Sequence, residues 1–326
     1  MTKHAHSRFL PEVDPDARVV TKEAVFERAS FNECHAPTLV ETGEGDLLVA
    51  FFAGTREGSE DVSIWTSRRK GVSWTAPEKA ACLEGVACWN PVLFRDEHGT
   101  TYLFYKVGHS PKTWTGVYLA SEDEGRSWSE PHYLPAGLTG PTKNKPITMS
   151  NGDVICGAST ESHESWACWA EVIRNQQWLR YGPICYGGVS KGVIQPSIVE
   201  LSGGRLRMFM RSTRAIGKVC AAASPDYGRT WSTARSTVLP NPNSGIDAVK
   251  LGSGVIVMAY NDSATERTPL SVATSVDEGL TWQKALDLEV EEGEFSYPSV
   301  IQTRDGLVHL VYTWKRKRIE HAVLQV

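Results

Sequence analysis

Polar side chains recur at two kinds of position along this chain, and their types suit the binding of an acidic small molecule. The first set precedes short apolar segments and comprises His35, Asn90, Lys143, Asn144, Lys145, Gln195, Asp247 and Tyr297. The second set follows the next apolar segment and comprises Arg56, Asp61, Lys106, Glu161, Arg211, Arg214, Arg267 and Lys315. Arginine and lysine bind carboxylates, whereas histidine, tyrosine and carboxylic acids can exchange protons or act as nucleophiles. If the fold gathers both sets, the sequence predicts a basic concave site for an anionic ligand.

The segments that carry these residues form six repeats. Each has an apolar segment, usually opened by proline, then a glycine turn and a second apolar segment. The turn glycines are Gly45, Gly99, Gly152, Gly204, Gly254 and Gly306, which are 54, 53, 52, 50 and 52 residues apart. A nearly constant period indicates a repeat architecture. Short segments rich in Val, Ile, Thr and Trp, without an amphipathic helical window, predict an all-β chain. About 50 residues suit one four-stranded antiparallel blade of a β-propeller.

A second motif, Ser-x-Asp-x-Gly-x-Ser/Thr-Trp, occurs later in the repeats. It stands at residues 121–128, 224–231 and 275–282, and residues 67–74 form a degraded copy without the Asp. The Asp and Ser side chains are expected to satisfy backbone N–H groups of a hairpin turn. Gly would take a left-handed conformation, and Trp would pack between blades. We therefore predict a structural role for this motif rather than a catalytic one.

This motif resembles the Asp-box of the sialidase (neuraminidase), or BNR-repeat, superfamily. The resemblance covers essentially residues 18–326 and implies a single six-bladed β-propeller of four-stranded antiparallel blades, after an irregular lead-in at residues 1–17. The sixth repeat supplies three strands, so residues 19–27 are predicted to add the fourth and close the ring. In such blades the first strand lies nearest the axis. The residues before strand one and those after strand two should therefore converge at one end of the axis.

The resemblance also implies roles for individual residues. In sialidases three arginines bind the substrate carboxylate, a Tyr–Glu pair forms the nucleophile and an Asp is the acid/base. Arg211 and Arg267 resemble the second and third arginines. Tyr297 resembles the nucleophile, and Asp61 is similar in placement to the acid.

The chain departs from the sialidase pattern at two positions. His35 stands where the F/Y-R-I-P motif has its arginine, and Gln195 stands where the Tyr-activating Glu is expected. A neutral amide cannot deprotonate a phenol, whose reference pKa is about 10. These departures favour a different reaction at Tyr297.

Three functions follow as alternatives, and the first is β-elimination from a uronate-containing glycan. Arg211 and Arg267 would neutralise the carboxylate, while His35 and Tyr297 would serve as base and acid in either order. The further substrate-binding residues would be Arg56, Asn90, Lys106, Lys143, Asn144, Lys145, Gln195 and Asp247. The sequence most resembles the "predicted neuraminidase" branch of the superfamily. A propeller lyase that removes L-rhamnose from D-glucuronate is similar in architecture.

The second alternative is an exo-sialidase-like glycoside hydrolase for a terminal acidic sugar, with Asp61 or Glu161 as acid/base. The third is a glycan-binding propeller without catalytic activity. The sequence feature that separates the lyase alternative from the hydrolase alternative is the pair His35 and Gln195.

Composition limits the remaining possibilities. No apolar run reaches the length of a membrane span, the first residues lack a signal-peptide pattern, and a net charge of −4 gives no reason to expect nucleic acid or a membrane as partner. Seven cysteines without CxxC pairs favour reduced thiols and argue against zinc. We expect a cytoplasmic protein with an acidic oligosaccharide as partner and neither metal nor cofactor. The basic run at residues 315–318 is predicted to be a solvated strand end.

Overall fold

The computed structural model describes residues 17–326, which form six antiparallel β-sheets arranged as the blades of a propeller. The predicted six-bladed, four-stranded all-β architecture is confirmed, with two short strands sharing the outer position of the first blade. Two short 3-10 turns, Pro111–Thr113 and Ser202–Gly204, interrupt the β-structure. Within residues 17–326 neither turn approaches the length and hydrophobicity of a membrane-crossing helix. The predicted lead-in, apart from residue 17, lies outside the described residues.

The strands follow the repeats in chain order, one blade after another. The described chain begins with β1 (Arg18–Ala24). Blade one contains β2 (Glu33–Glu41), β3 (Leu47–Gly54), β4 (Ser63–Lys70), β5 (Ser73–Trp74) and β6 (Glu78–Ala81). Blade two contains β7 (Cys88–Arg95), β8 (Thr101–Val107), β9 (Thr115–Ser121) and β10 (His132–Tyr133). Blade three contains β11 (Ile147–Thr148), β12 (Val154–Glu161), β13 (Trp166–Arg174) and β14 (Gln177–Ile184).

The second half of the chain continues the same order. Blade four contains β15 (Val193–Glu200), β16 (Leu206–Ser212), β17 (Lys218–Ser224) and β18 (Arg235–Pro240). Blade five contains β19 (Asp247–Lys250), β20 (Ile256–Asn261), β21 (Leu270–Ser275) and β22 (Gln283–Glu289). Blade six contains β23 (Phe295–Gln302), β24 (Val308–Trp314) and β25 (Arg318–Gln325), with β1 as its outer strand.

The ring closes where the two ends of the propeller meet in one sheet. β1 pairs antiparallel with β25, from Arg18 opposite Gln325 to Ala24 opposite Glu320. The prediction that the N-terminal segment completes blade six is confirmed, although the strand ends at Ala24. Phe26 leaves the sheet and stacks on Phe51 of blade one at a ring distance of 5.3 Å. The closing segment therefore joins blades six and one through their shared core.

The innermost strands of four blades contain a bulge directly before a proline. The residue before proline has a positive φ of 52° at Ala36, 38° at Asn90, 52° at Gln195 and 55° at Tyr297. The strand register shifts at each of these points. The prediction that His35, Asn90, Gln195 and Tyr297 precede strand one of their blades is wrong. Each of these strands begins three or four residues before its proline and so includes the predicted residue. Bulges redirect side chains and are common beside active sites, and positive φ at non-glycine residues is uncommon.

The Asp-box motifs are hairpin turns, as predicted. In the third intact copy, Asp277 accepts hydrogen bonds from the backbone N–H groups of Leu280 and Thr281, and Gly279 donates to Ser275 Oγ. Gly279 has a φ of 78°. A side chain there would also meet Phe209 of the neighbouring blade at 2.5 Å, so the position requires glycine. Trp282 packs edge-on against Phe209, which ties blade five to blade four.

Candidate active site

A cavity of about 240 Å³ lies at one end of the propeller axis and receives residues from all six blades. Its polar lining residues are Glu57, Asn90, Glu161, Gln195, Arg211, Arg267, Tyr297 and Arg316. Its apolar lining residues are Trp89, Pro111, Trp114 and Ile194. The bulges of β7, β15 and β23 supply Asn90, Gln195 and Tyr297. The structure therefore brings together six of the residues that were predicted as site candidates, including Glu161.

Three arginines give the cavity its charge. Arg211 donates from Nε to Asn243 Oδ1 at 2.7 Å, and its other partners, Gln195 and Tyr297, are also uncharged. Among residues 17–326, Nη2 of Arg211 has no hydrogen-bond partner, so it can bind a ligand. Arg267 pairs with Glu294 at 2.6 Å. The third arginine, Arg316, also pairs with Glu294, at 3.2 Å.

Tyr297 lies at the floor of the cavity with its hydroxyl held by two donors. Oη accepts hydrogen bonds from Arg211 Nη1 at 2.7 Å and from Gln195 Nε2 at 3.1 Å. The guanidinium carbons of Arg211 and Arg267 are each 5.7 Å from the centre of its ring. Two donors and two nearby cations would therefore stabilise negative charge on this oxygen.

His35 lies beneath Tyr297 and not on the cavity wall. The two rings are in contact, with centroids 4.1 Å apart, and His35 is only 1% exposed. Its Nδ1 is 2.9 Å from Thr313 Oγ1, while its Nε2 has no partner among the described residues. Burial, followed by the nearby charge of Arg316, holds the pKa of His35 well below its usual value. Ala36, and not His35, takes the bulge position in β2, so His35 packs against Tyr297 and does not face it across the cavity.

The carboxylates differ in their placement. Glu161, at the end of β12, lines the cavity, and burial raises its pKa despite the opposing charge of Arg211. Asp61 is exposed and is not part of the lining. It accepts hydrogen bonds from the backbone N–H and hydroxyl of Thr55, both at 2.9 Å, and so orders its own loop. Arg56, on the same loop, is also exposed and outside the cavity. Of the two predicted acids, only Glu161 reaches the site.

Two predicted binding residues, Lys143 and Asn144, lie behind the cavity. Lys143 Nζ donates to Asn144 Oδ1 at 2.9 Å, to the carbonyl of Ile246 at 3.2 Å and to the carbonyl of Pro298. Asn144 Nδ2 in turn donates to the carbonyl of Gln195 at 3.0 Å. Burial lowers the pKa of Lys143 to about 7. This pair therefore fixes the backbone carbonyl of Gln195 and that of Pro298, which follows Tyr297.

Three further candidates, two buried and one half-buried, also hold strands together. Lys145 pairs with Asp247 Oδ2 at 2.8 Å. Asp247 also accepts hydrogen bonds from Ser197 Oγ at 2.8 Å and from the backbone of Val300 at 2.9 Å, so it connects blades three to six. Lys106 donates to the carbonyls of Pro141 and Asn90, and burial lowers its pKa to about 7. None of these three side chains is part of the cavity lining.

The sequence interpretation missed Arg316. It placed the basic run at a solvated strand end and selected Lys315 as the residue after strand two. Lys315 instead pairs with Glu291 at 3.1 Å outside the cavity, whereas Arg316 lines it. The position of Lys315 in the repeat predicted the correct turn. In the two-residue hairpin, with φ of 48° at Lys315 and 55° at Arg316, the side chain that reaches the cavity is that of the second residue and not the first.

Trp89 and Trp114 were also missed and form an aromatic side of the cavity. Their rings are 5.8 Å apart, and Trp89 Nε1 donates to the carbonyl of Gly108 at 2.7 Å. Trp114 Nε1 has no partner among the described residues. Trp89 directly precedes the predicted site residue Asn90 and Pro91. Its place beside them in the sequence could have identified it as a lining residue. For residues 17–326, no group of three or more His, Cys, Asp or Glu side chains is arranged to hold a metal ion.

Comparisons with known proteins agree with this architecture. Residues 45–310 match the sequence profile of the BNR repeat-like domain. A sialidase of Bacteroides fragilis (strain YCH46) is 23% identical over 197 residues, which cover 54% of this chain and 35% of that protein. The chain thus spans about a third of the length of this relative.

Solved structures share the fold. A protein of unknown function from Dyadobacter fermentans DSM 18053 superposes with a TM-score of 0.81 at 17% identity, covering 96% of this chain and all of that one. The Hadza microbial sialidase Hz136 superposes with a TM-score of 0.75 at 20% identity, covering 89% of this chain and 65% of the sialidase. At these identities the likeness establishes the fold.

Proposed function

The chain belongs to the BNR repeat-like domain family, and from this membership and the geometry of the axial cavity we propose that it is a glycoside hydrolase acting on a terminal acidic sugar. The family and the sialidase-like propeller fold indicate a carbohydrate-active enzyme. The observation that carries the narrower proposal is the position of Arg211. Among the residues that the structure describes, its guanidinium has only uncharged partners and keeps a free N–H group, and it contacts Tyr297 Oη at 2.7 Å.

The substrate carboxylate binds Arg211 and Arg267 in this proposal. In residues 17–326 no carboxylate balances the charge of Arg211 by direct contact, and a carboxylate accepts paired hydrogen bonds from guanidinium groups. The apolar face of the sugar ring packs against Trp89 and Trp114. Asn90, on the same side of the cavity, provides an amide for a sugar hydroxyl group.

Tyr297 is the nucleophile and Glu161 the proton donor. Tyr297 Oη bonds to the anomeric carbon and its proton passes to solvent, with Arg211 stabilising the developing oxyanion. The glycosidic C–O bond breaks as Glu161, which burial favours in its protonated form, protonates the leaving oxygen. Water then attacks the anomeric carbon, Glu161 takes its proton, and Tyr297 leaves as the phenolate. This is the retaining scheme with a tyrosine in the nucleophile position.

β-Elimination from a uronate is the second candidate, and Gln195 favours it. Gln195 stands where a Tyr-activating carboxylate would be needed for the nucleophilic role. In the elimination reaction Tyr297 would instead act as the base, in its phenolate form and stabilised by Arg211. It would take the C5 proton while the C4–O bond breaks and Glu161 protonates the leaving oxygen. His35 is less suited to be the base than expected, because the ring of Tyr297 covers it. A glycan-binding propeller without turnover remains the third alternative.

A substrate panel tests the proposal. Terminal sialosides, glucuronosides and a rhamnosyl-glucuronate oligosaccharide are incubated with the wild type and with Tyr297→Phe. Free sugar release and the ultraviolet absorbance of a 4,5-unsaturated uronate are both followed. Free sugar that disappears with Tyr297→Phe supports hydrolysis. An ultraviolet absorbance that rises with the wild type would contradict hydrolysis and indicate elimination. Binding of a glycan without either product would indicate the non-catalytic alternative.

A further inference from the structure

The seam between blades two and three is built differently from the other five. Each of those five seams contains a buried hydrophobic cluster, and no such cluster joins blades two and three in the part of the chain that the structure describes. Three of the filled seams are closed by Asp-box turns. A side chain at Gly125, Gly228 or Gly279 would meet an apolar residue of the preceding blade at 2.5 Å. Blade three has no Asp-box, and its outer hairpin is a two-residue turn at Asn175 and Gln176.

A cavity of about 630 Å³, the seam cavity, lies between blades two and three. Asp96, directly after β7, and Gly152, just before β12, both line it. Asn90 and Glu161 of the axial cavity lie towards the other ends of the same two strands. The seam cavity therefore opens at the opposite face of the propeller. Its volume lies within the range of small-molecule sites, about 300–1,000 Å³.

Five aromatic side chains line the seam cavity. Phe94, Tyr102 and Phe104 follow one another across β7 and β8, with successive ring centres 6.4 and 6.0 Å apart. Tyr118 of β9 lies 5.7 Å from Phe104, and Trp178 of blade three lies 6.3 Å from the same ring. Phe104 is buried, whereas the other four are half-buried. The seam thus offers aromatic surface to a ligand where the other seams have a closed core.

The polar groups of the seam cavity are acidic or neutral. Asp96 and Glu97 line it, and neither a lysine nor an arginine does among residues 17–326. Asp96 Oδ1 accepts two backbone N–H groups of its own turn. The exposed side-chain amides of Asn175 and Gln176 have no hydrogen-bond partner among the described residues. A complementary ligand therefore has an apolar surface for the rings, hydroxyl groups for the carboxylates and amides, and no negative charge.

We propose that the seam cavity is a second carbohydrate-binding site, which takes a neutral oligosaccharide. A pyranose ring has a face of C–H groups that packs on aromatic rings, and its hydroxyl groups can donate to carboxylates and exchange hydrogen bonds with amides. A quaternary ammonium ion also suits aromatic rings and carboxylates, but it would leave the amides of Asn175 and Gln176 unused. The inference goes beyond the proposed function, because Asp96 and Glu97 would repel the acidic sugar of the axial cavity.

Calorimetric titration with neutral disaccharides tests this inference. The probes are lactose, cellobiose, maltose and mannobiose, and the wild type should bind at least one of them. Trp178→Ala and Tyr118→Ala each remove one ring of the seam cavity and should weaken that binding about 10-fold or more. Tyr133→Ala removes an exposed ring of the same blade outside the cavity and should bind as the wild type does. Turnover of the acidic glycoside should be unchanged in all three variants.

Four results would overturn the inference. The wild type would bind none of the four disaccharides, or Trp178→Ala and Tyr118→Ala would bind them unchanged, which would place the sugar elsewhere. Tetramethylammonium, titrated in parallel, would bind alone and lose affinity in both variants, which would indicate a cation site. Sedimentation velocity would show self-association that both variants abolish, which would make a second copy of the chain the occupant.

A blocking variant keeps the test decisive if removal of a ring destabilises the protein. Thr148 is exposed and lines the seam cavity, so Thr148→Trp should fill the cavity without removing a packed ring. It should melt close to the wild type and lose binding of the disaccharide. Binding that Thr148→Trp leaves unchanged would likewise contradict a site in this seam.

Discussion

Arg211 Nη1 lies 2.7 Å from the phenolic oxygen of Tyr297 and 3.0 Å from Gln195 Oε1. Gln195 closes the triangle by donating from Nε2 to the same phenolic oxygen at 3.1 Å. Within the described part of the chain, the Tyr297 hydroxyl is therefore held by one cation and one amide, without a carboxylate contact. In the proposed reaction, electrostatic stabilisation of the oxyanion takes the place of proton abstraction by a neighbouring base.

Tyr297→Phe should abolish turnover while it preserves substrate binding. The substitution removes the reacting oxygen but leaves Arg211 and Arg267 in the cavity, so we expect kcat to fall by about 10³-fold or more. Tyr186→Phe is the matched control, because its hydroxyl contacts Ser236 at 3.1 Å away from the cavity. Steady-state kinetics and ligand titration measure the two effects. Substantial turnover by Tyr297→Phe would remove Tyr297 from the mechanism.

Glu161→Gln should affect substrates according to their leaving groups. Burial raises the pKa of Glu161, so its protonated form persists to higher pH, and activity should fall as pH rises through that pKa. The variant should lose about 10²- to 10⁴-fold with natural alcohol leaving groups and much less with 4-nitrophenyl glycosides. The alkaline limb of its pH profile should also disappear. Asp61→Asn, at an exposed position, serves as control, and the opposite pattern would make Asp61 the acid.

Acid should destabilise the protein through a buried histidine pair in blade six. His309 Nδ1 is 2.9 Å from His321 Nε2, and His321 Nδ1 is 3.0 Å from Glu23 Oε1. Burial lowers the pKa of His321 from 6.5 to about 4, against the opposing hydrogen bond to Glu23 and with a smaller contribution from His309. A base with a lowered folded-state pKa contributes stability above pH 6.5 and loses it as pH falls towards 4. His321 alone should account for about 3 kcal/mol of that loss.

Urea unfolding between pH 7.5 and pH 4.5 measures this dependence. His321→Gln should flatten the pH dependence of the free energy of unfolding, although it lowers stability at neutral pH. His98→Gln, at an exposed side chain, should follow the wild type throughout. Parallel curves for the wild type and His321→Gln would show that the pair does not control acid stability.

Asp277→Ala should destabilise blade five without altering the cavity. The Asp277 carboxylate accepts hydrogen bonds from two backbone N–H groups and from the hydroxyl groups of Ser275 and Thr281. Losing them should cost about 1–3 kcal/mol of unfolding free energy, and Asp277→Asn, which keeps one acceptor oxygen, should cost less. Chemical denaturation measures both. A loss of activity at unchanged stability would contradict the structural role of the motif.

The fold could be predicted because its signals are local and repeated. Turn glycines such as Gly45 and Gly306 have positive φ, and each Asp-box satisfies its own turn, so neither depends on distant parts of the chain. The closing strand was also predictable, because the sixth repeat lacked one. The first residues of the inner strands were predicted wrongly. A proline normally interrupts a strand, but here a bulge lets the strand begin on the N-terminal side of its proline.

The candidate site was predicted in part. The errors in the prediction concern the direction in which a side chain points, not its position along the chain. Arg211, Arg267 and Tyr297 line the cavity as the repeats suggested, whereas Lys145 and Asp247 satisfy each other behind it. A sequence pattern does not show whether a polar side chain meets a ligand or a buried partner. Likewise, one residue of offset in a bulge or a hairpin buries His35 and brings Arg316 to the cavity.

The measurement that tests the central claim most directly is the origin of the oxygen in the released sugar. Reactions of the acidic glycoside that the panel identifies are run in ¹⁸O-labelled water with the wild type, beside Tyr297→Phe. Hydrolysis through Tyr297 and Glu161 predicts one ¹⁸O atom at the anomeric carbon at the earliest times, before exchange, and no product from the variant. An unlabelled product together with a 4,5-unsaturated uronate would contradict hydrolysis and establish elimination in its place.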